Sequence, residues 1–107
     1  MTRKEAATII LSITQGPREL EYAEHFWESS GRRGFTAQDV YYILKSHHLD
    51  PGPLQWHEET GAFRVRLTGR CLEGRRTRLV LDLRADGPCT AVTIMENTQT
   101  RKNRGPK

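Results

Sequence analysis

Two cysteines in 107 residues, Cys71 and Cys89, are too few for a disulfide framework. No C-x-x-C or H-x-x-x-H spacing accompanies them, so a zinc centre is not expected, even with His47 and His48 adjacent to each other. Also missing are a glycine-rich phosphate loop, a nucleophile elbow and a paired-carboxylate signature, which removes the usual supports for phosphoryl transfer, hydrolase chemistry and cofactor use. We expect no metal and no cofactor. Long hydrophobic runs are absent too. The most apolar stretch, Ala6 to Ile13, is short, is interrupted by Thr8 and Ser12, and lacks a cleavage site, so it reads neither as a signal peptide nor as a membrane span. The expectation is a cytoplasmic protein with reduced thiols and no membrane partner.

Acidic residues are missing from one place in particular. Residues 98–107 hold Arg101, Lys102, Arg104 and Lys107 with no acid, and residues 1–97 hold 13 basic and 13 acidic groups, so the whole formal charge of +4 sits in the tail. That tail also has no apolar residue from Thr98 onward and reads as disordered. Residues 1–97 are the length of one domain with one core. Charge is segregated inside it. Residues 63–84 carry seven basic groups against two acids, and residues 1–62 carry six against nine. A basic patch of this kind attracts phosphate or acidic protein surfaces.

The stretch from Ala62 to Arg84 carries the strongest pattern. Phe63, Val65 and Leu67 alternate with Arg64, Arg66 and Thr68; Leu79, Leu81 and Leu83 alternate with Arg78, Val80 and Asp82. A three-residue loop, Leu72-Glu73-Gly74, pairs residues whose numbers sum to 146, with the glycine in the left-handed conformation. Val65 then faces Leu81, Phe63 faces Leu83, Leu67 faces Leu79, and Arg64 faces Asp82. A two-residue turn would set Val65 against Asp82 and mix the faces.

Ahead of the hairpin, Ala6, Ile9, Ile10 and Ile13 fall at helical spacing before Gly16-Pro17. A second helix is expected from Arg18, with Pro17 near its start, Glu19, Glu21 and Glu24 toward its positive end, and Leu20, Ala23, Phe26 and Trp27 as its apolar face. Gly31 and Gly34 bracket a tight connection. Thr36 caps a third helix with Asp39 returning to the cap amide, and Val40, Ile43 and Leu44 face inward. It frays near His47-His48 before Asp50-Pro51-Gly52-Pro53. Leu54 and Trp56 suggest a short strand, Glu59-Thr60-Gly61 and Ala85-Asp86-Gly87-Pro88 suggest turns, and Cys89 to Met95 suggests a last strand. The expected architecture is α+β, with three N-terminal helices packed on one face of a four-stranded antiparallel sheet.

The run His25-Phe26-Trp27-Glu28, then Arg33-Gly34-Phe35-Thr36 and Asp39-Val40, followed by Phe63-Arg64-Val65 and Val92-Thr93-Ile94, resembles the bacterial domain of unknown function 4258 family. The likeness covers Glu21 to Glu96. Ser29 stands where that family has an arginine. The family is similar to the RelE/ParE-type plasmid-toxin superfamily, whose small α+β domains include ribosome-dependent mRNA endonucleases and gyrase poisons. The resemblance implies a RelE-like fold and a toxin-type domain that binds RNA or the ribosome and pairs with a small acidic antitoxin.

Metal-independent RNA cleavage needs a base for the 2′-hydroxyl, cations for the phosphorane-like transition state and an acid for the leaving oxygen. The outward hairpin face offers Arg64, Arg66 and Arg78 as cations and Asp82 as a base, with a structural Arg64 to Asp82 ion pair as the alternative. His25 is either a catalytic acid or base titrating near neutral pH or a half-buried histidine against the Arg33-Gly34 break. Arg33, Arg101, Lys102 and Arg104 complete the candidate RNA-binding set. Trp56, Tyr41 and Tyr42 are either base-stacking platforms or, for Trp56 and one tyrosine, core residues. Two function classes follow: an RNA-binding protein or metal-independent mRNA endoribonuclease, and a non-catalytic interaction module that binds an acidic partner through the same face.

Overall fold

A computed structural model describes residues 1–16, 18–28, 33–46, 48–49 and 54–96. The expectations for Pro17, Ser29, Gly31, Arg32, His47, Asp50 to Pro53 and the tail from residue 97 onward lie outside the described residues. The paired strands β4 (Ala62–Arg70) and β5 (Arg76–Leu83) form the centre of the sheet in the expected register, Phe63 to Leu83, Arg64 to Asp82, Val65 to Leu81 and Leu67 to Leu79. Gly74, at φ +86°, closes the loop as the left-handed residue a side chain would disfavour, and its N–H donates to the Cys71 carbonyl at 2.9 Å.

The sheet is larger than expected, with six strands instead of four, and it is mixed. Its order is β1 (Leu20–Tyr22), β6 (Cys89–Glu96), β5, β4 and β2 (His48–Leu49), with β3 (Gln55–His57) pairing the same edge of β4 as β2. The helix expected from Arg18 is not formed there. Leu20 to Tyr22 instead runs parallel to β6, Leu20 opposite Cys89 and Tyr22 opposite Ala91, and helical structure appears only at residues 26–28. The exposed edge of β6 supplies the reason. Its Ala91 carbonyl accepts from Ala23 N–H at 2.9 Å and its Cys89 N–H donates to the Glu19 carbonyl at 3.1 Å, bonds a helix at residues 19–23 would forgo.

Helices α1 (Arg3–Thr14) and α2 (Ala37–Ser46) cover one sheet face. Ala6, Ile10, Ile13, Val40, Ile43 and Leu44 meet Val65, Leu67, Leu79, Leu81, Leu83, Ala91 and Ile94 in one core. A register shift at Val80/Leu81 leaves Val92 as an extra residue in β6. Ala91 and Ile94, three apart, thereby both turn inward. Cys71 and Cys89 are buried free thiols. No helix among the described residues is long and apolar enough to cross a membrane.

Both helices begin with a capping box. In α2, Thr36 N–H donates to Asp39 Oδ2 at 2.9 Å and Asp39 N–H donates to Thr36 Oγ1 at 3.3 Å, as expected. Asp39 Oδ1 also accepts Leu72 N–H at 3.0 Å, fastening the hairpin tip to the helix start. In α1, Thr2 and Glu5 form the same box, and the Thr2 N–H holds the Glu5 carboxyl below its ordinary value of 4.5. A depressed carboxyl contributes fully above its unfolded pKa and loses that contribution as pH falls through the lowered folded value. Glu5→Gln should therefore flatten the dependence of melting temperature on pH below about 4.5 and leave the neutral-pH helix content intact.

Leu81→Ala should destabilise the fold by about 2–5 kcal/mol in chemical denaturation by opening a cavity under the helices. Arg66→Ala should stay within about 0.5 kcal/mol. Equal losses would mean that the wrong face has been placed inside.

Candidate nucleic-acid interface

The sheet face turned away from the helices is built by alternation. Along β4 it presents Arg64, Arg66, Thr68 and Arg70; along β5, Arg76, Arg78, Val80 and Asp82; along β6, Thr90, Thr93 and Met95. Val80 is buried, yet it is not part of the core beneath the helices, as fits a short apolar residue set among long arginine stems. Glu21 joins this face opposite Thr90, and Arg84, two residues beyond Asp82, belongs to it as well.

Arg64 and Asp82 form a two-point ion pair, Nε to Oδ1 at 2.8 Å and Nη2 to Oδ2 at 3.1 Å. Asp82 is only 2% exposed and Arg64 26%. The hydrogen bond to Asp82 raises the Arg64 pKa, against the opposing effect of burial, and Glu59 adds a smaller attraction. With both oxygens engaged and no solvent access, Asp82 is not presented to a 2′-hydroxyl. Of the two roles open to it, the structure gives it the ion pair.

Arg84 is also occupied. Its Nη1 donates to the Pro88 carbonyl and Thr90 Oγ1, both at 3.1 Å, and its Nη2 donates to the Thr60 carbonyl at 3.0 Å, so it ties two turns together. Arg66 differs from both. It is exposed, stands opposite Val80, and has no carboxylate partner among the described residues. Arg78 lies opposite Thr68 on one side and Met95 on the other, next to Arg66 on the same face.

The remaining candidates are not brought together with these. His25 follows β1 at the far edge of the sheet, three strands from β4, which is about 14 Å at the usual strand spacing. The half-buried setting expected for it is not found. Its side chain is 73% exposed and its Nδ1 lies 3.1 Å from Glu28 Oε2. Arg33 donates from Nη1 to the Ile94 carbonyl at 3.4 Å on the β6 edge, and its own carbonyl accepts from Arg75. Arg75 in turn lies 4.3 Å over the Phe35 ring. Arg101, Lys102 and Arg104 lie outside the described residues. Trp56, Tyr41 and Tyr42, of which Trp56 and one tyrosine were expected in the core, are all exposed. Their strand and helix positions face away from the packed interior.

Residues that the sequence reading passed over also reach this face. The pairing of β3 sets Gln55 opposite Arg64 and His57 opposite Ala62, and β2 sets His48 opposite Thr68. Alternation about Trp56 was sufficient to place Gln55 and His57. For His48 the sequence held no comparable signal, because its two-residue strand follows directly on a helix. His57 and His48 are separated by the six residues of β4 between Ala62 and Thr68, about 20 Å, so they cannot serve one phosphate as base and acid. Among the described residues no cluster of three His, Cys, Asp or Glu side chains could hold a metal.

Asp82→Ala would leave the Arg64 guanidinium without its partner and should cost about 1–3 kcal/mol, measured by denaturant unfolding. Arg64→Ala should cost a similar amount, because it strands the buried carboxylate. A double variant less destabilised than the sum of the two would confirm the coupling.

No family model matches the chain, and no curated protein matches it in sequence.

Proposed function

We propose that this chain is a RelE-like, toxin-type domain that binds RNA through the arginine-bearing face of its sheet. One observation carries the reading. Six arginines, Arg64, Arg66, Arg70, Arg76, Arg78 and Arg84, stand on a sheet face with only two carboxylates, Asp82 and Glu21, while the helices pack on the other side. A flat, open, positive surface of this kind is suited to phosphate, and a guanidinium without a carboxylate partner, as at Arg66, can grip one phosphate at two points. The domain's resemblance to RNA-directed toxins favours the same ligand, and the ribosome as its source in the cytoplasm.

Binding is the function proposed, and cleavage is not. Asp82 is shielded, His25 stands at the opposite edge, and the two face histidines are too far apart to share a phosphate. The competing reading, an acidic protein such as an antitoxin on the same face, is decided by experiment.

RNA affinity should be titrated at several salt concentrations with a single-stranded oligonucleotide. Arg66→Ala should weaken binding about tenfold and reduce the slope of log affinity against log salt by about 0.7. Arg66→Lys should lose nearly as much, because an ammonium cannot reproduce the two-point contact. Arg84→Lys should change affinity little, its guanidinium being committed to backbone carbonyls. Wild-type affinity in all three variants would place RNA elsewhere and favour an acidic protein on this face.

A further inference from the structure

The β3 edge separates two surfaces. On one side lies the arginine face, where Gln55 stands opposite Arg64. On the other lies a cavity of about 830 Å³ between the start of α1 and the end of the sheet, lined by Trp56, Phe63, Leu83, Ile9, Met1 and Lys4. This volume falls in the range of about 300–1,000 Å³ typical of small-ligand sites. Trp56 forms its outer wall. The ring is 54% exposed and rests edge-on against Phe63 at 4.9 Å between centroids, so its position is fixed while one face stays open.

We infer that this cavity is a base-stacking subsite, taking an unpaired nucleobase of a single-stranded RNA whose backbone lies on the arginine face. The inference rests on RNA binding at that face and adds the class of RNA bound. Three features fit a base and not a plain apolar group. Trp56 offers an open aromatic plane, to which bases of any sequence stack. Lys4 places a cation at the same cavity, beside the phosphate or ribose that would accompany the base. The path is short as well. Trp56 is opposite Phe63, whose neighbour Arg64 points to the other face, and Arg66 lies two residues further along β4, about 7 Å. A strand running over Arg66 thus crosses β3 within about two nucleotides. A duplex, with its bases stacked inside, cannot enter.

The test uses the full chain carrying Trp27→Phe, which leaves Trp56 as the sole tryptophan of the original two. Two probes of equal length and charge are titrated: a single-stranded oligoadenylate and an abasic phosphodiester. The oligoadenylate should quench Trp56 fluorescence, and the abasic probe should bind without quenching. Trp56→Ala in the otherwise wild-type chain should weaken oligoadenylate binding about tenfold or more and leave the abasic probe unaffected, while Trp56→Phe should retain most of the affinity. Thermal melts establish that the variants are folded, as the exposure of Trp56 leads one to expect. If oligoadenylate binding depends on Arg66 but not on Trp56, and quenching is absent, the base subsite is wrong and the arginine face stands. If neither probe binds the wild-type chain, both readings fall.

Discussion

The pairing of β4 with β5 is the constraint on which everything else depends. Side chains alternate along a strand, so a slip of one residue would carry Val65, Leu67, Leu79 and Leu81 to solvent and drive Arg64 and Arg66 under the helices. The left-handed Gly74 and the bond from its N–H to the Cys71 carbonyl hold the loop at three residues, and the Asp39 contact to Leu72 fastens the tip. Separation of the two faces follows from that register. The helix side becomes a core free of charge, and the other side becomes a surface on which arginine accumulates. The extra residue in β6 extends the separation to a third strand by returning Ile94 to the core.

A sheet face crowded with arginine repels itself, and Asp82 moderates this at one point. Its two-point pair with Arg64 places a negative charge beneath the guanidinia at the cost of removing both groups from chemistry. Arg84 is similarly spent on the turns at either end of the neighbouring strands. What remains for a ligand is the middle of the face around Arg66. The structure therefore divides the arginines by task, and the division explains why a catalytic assignment to Asp82 fails while a binding assignment to Arg66 survives.

The hairpin, the short third strand and the helix capped by Thr36 were legible because local pattern and final structure agree in them: period-two alternation, turn glycines and a capping box each act over a few residues. Residues 18–25 were not legible. Leu20, Ala23 and Phe26 fit helical spacing, and only the unpaired edge of β6, some 70 residues later, favours the strand. The same cause hid half of the site. His48 and His57 join the arginine face through pairing with β4, which no local pattern announces, and Trp56 looked like core because its exposure depends on α1 not reaching over β3. In α1, by contrast, the signal was present and unused: Thr2 and Glu5 already spell the capping box.

The account's central claim is that RNA engages the face opposite the helices. It is tested most directly by following backbone amide resonances of the isotope-labelled chain during titration with single-stranded RNA. The predicted result is a set of shifts confined to Arg64, Arg66, Thr68, Arg78, Val80, Thr93 and Met95 and the adjoining β3 edge, with Leu11, Tyr41 and Tyr42 on the helices unmoved. Shifts centred on the helices, or none anywhere at saturating RNA, would contradict it.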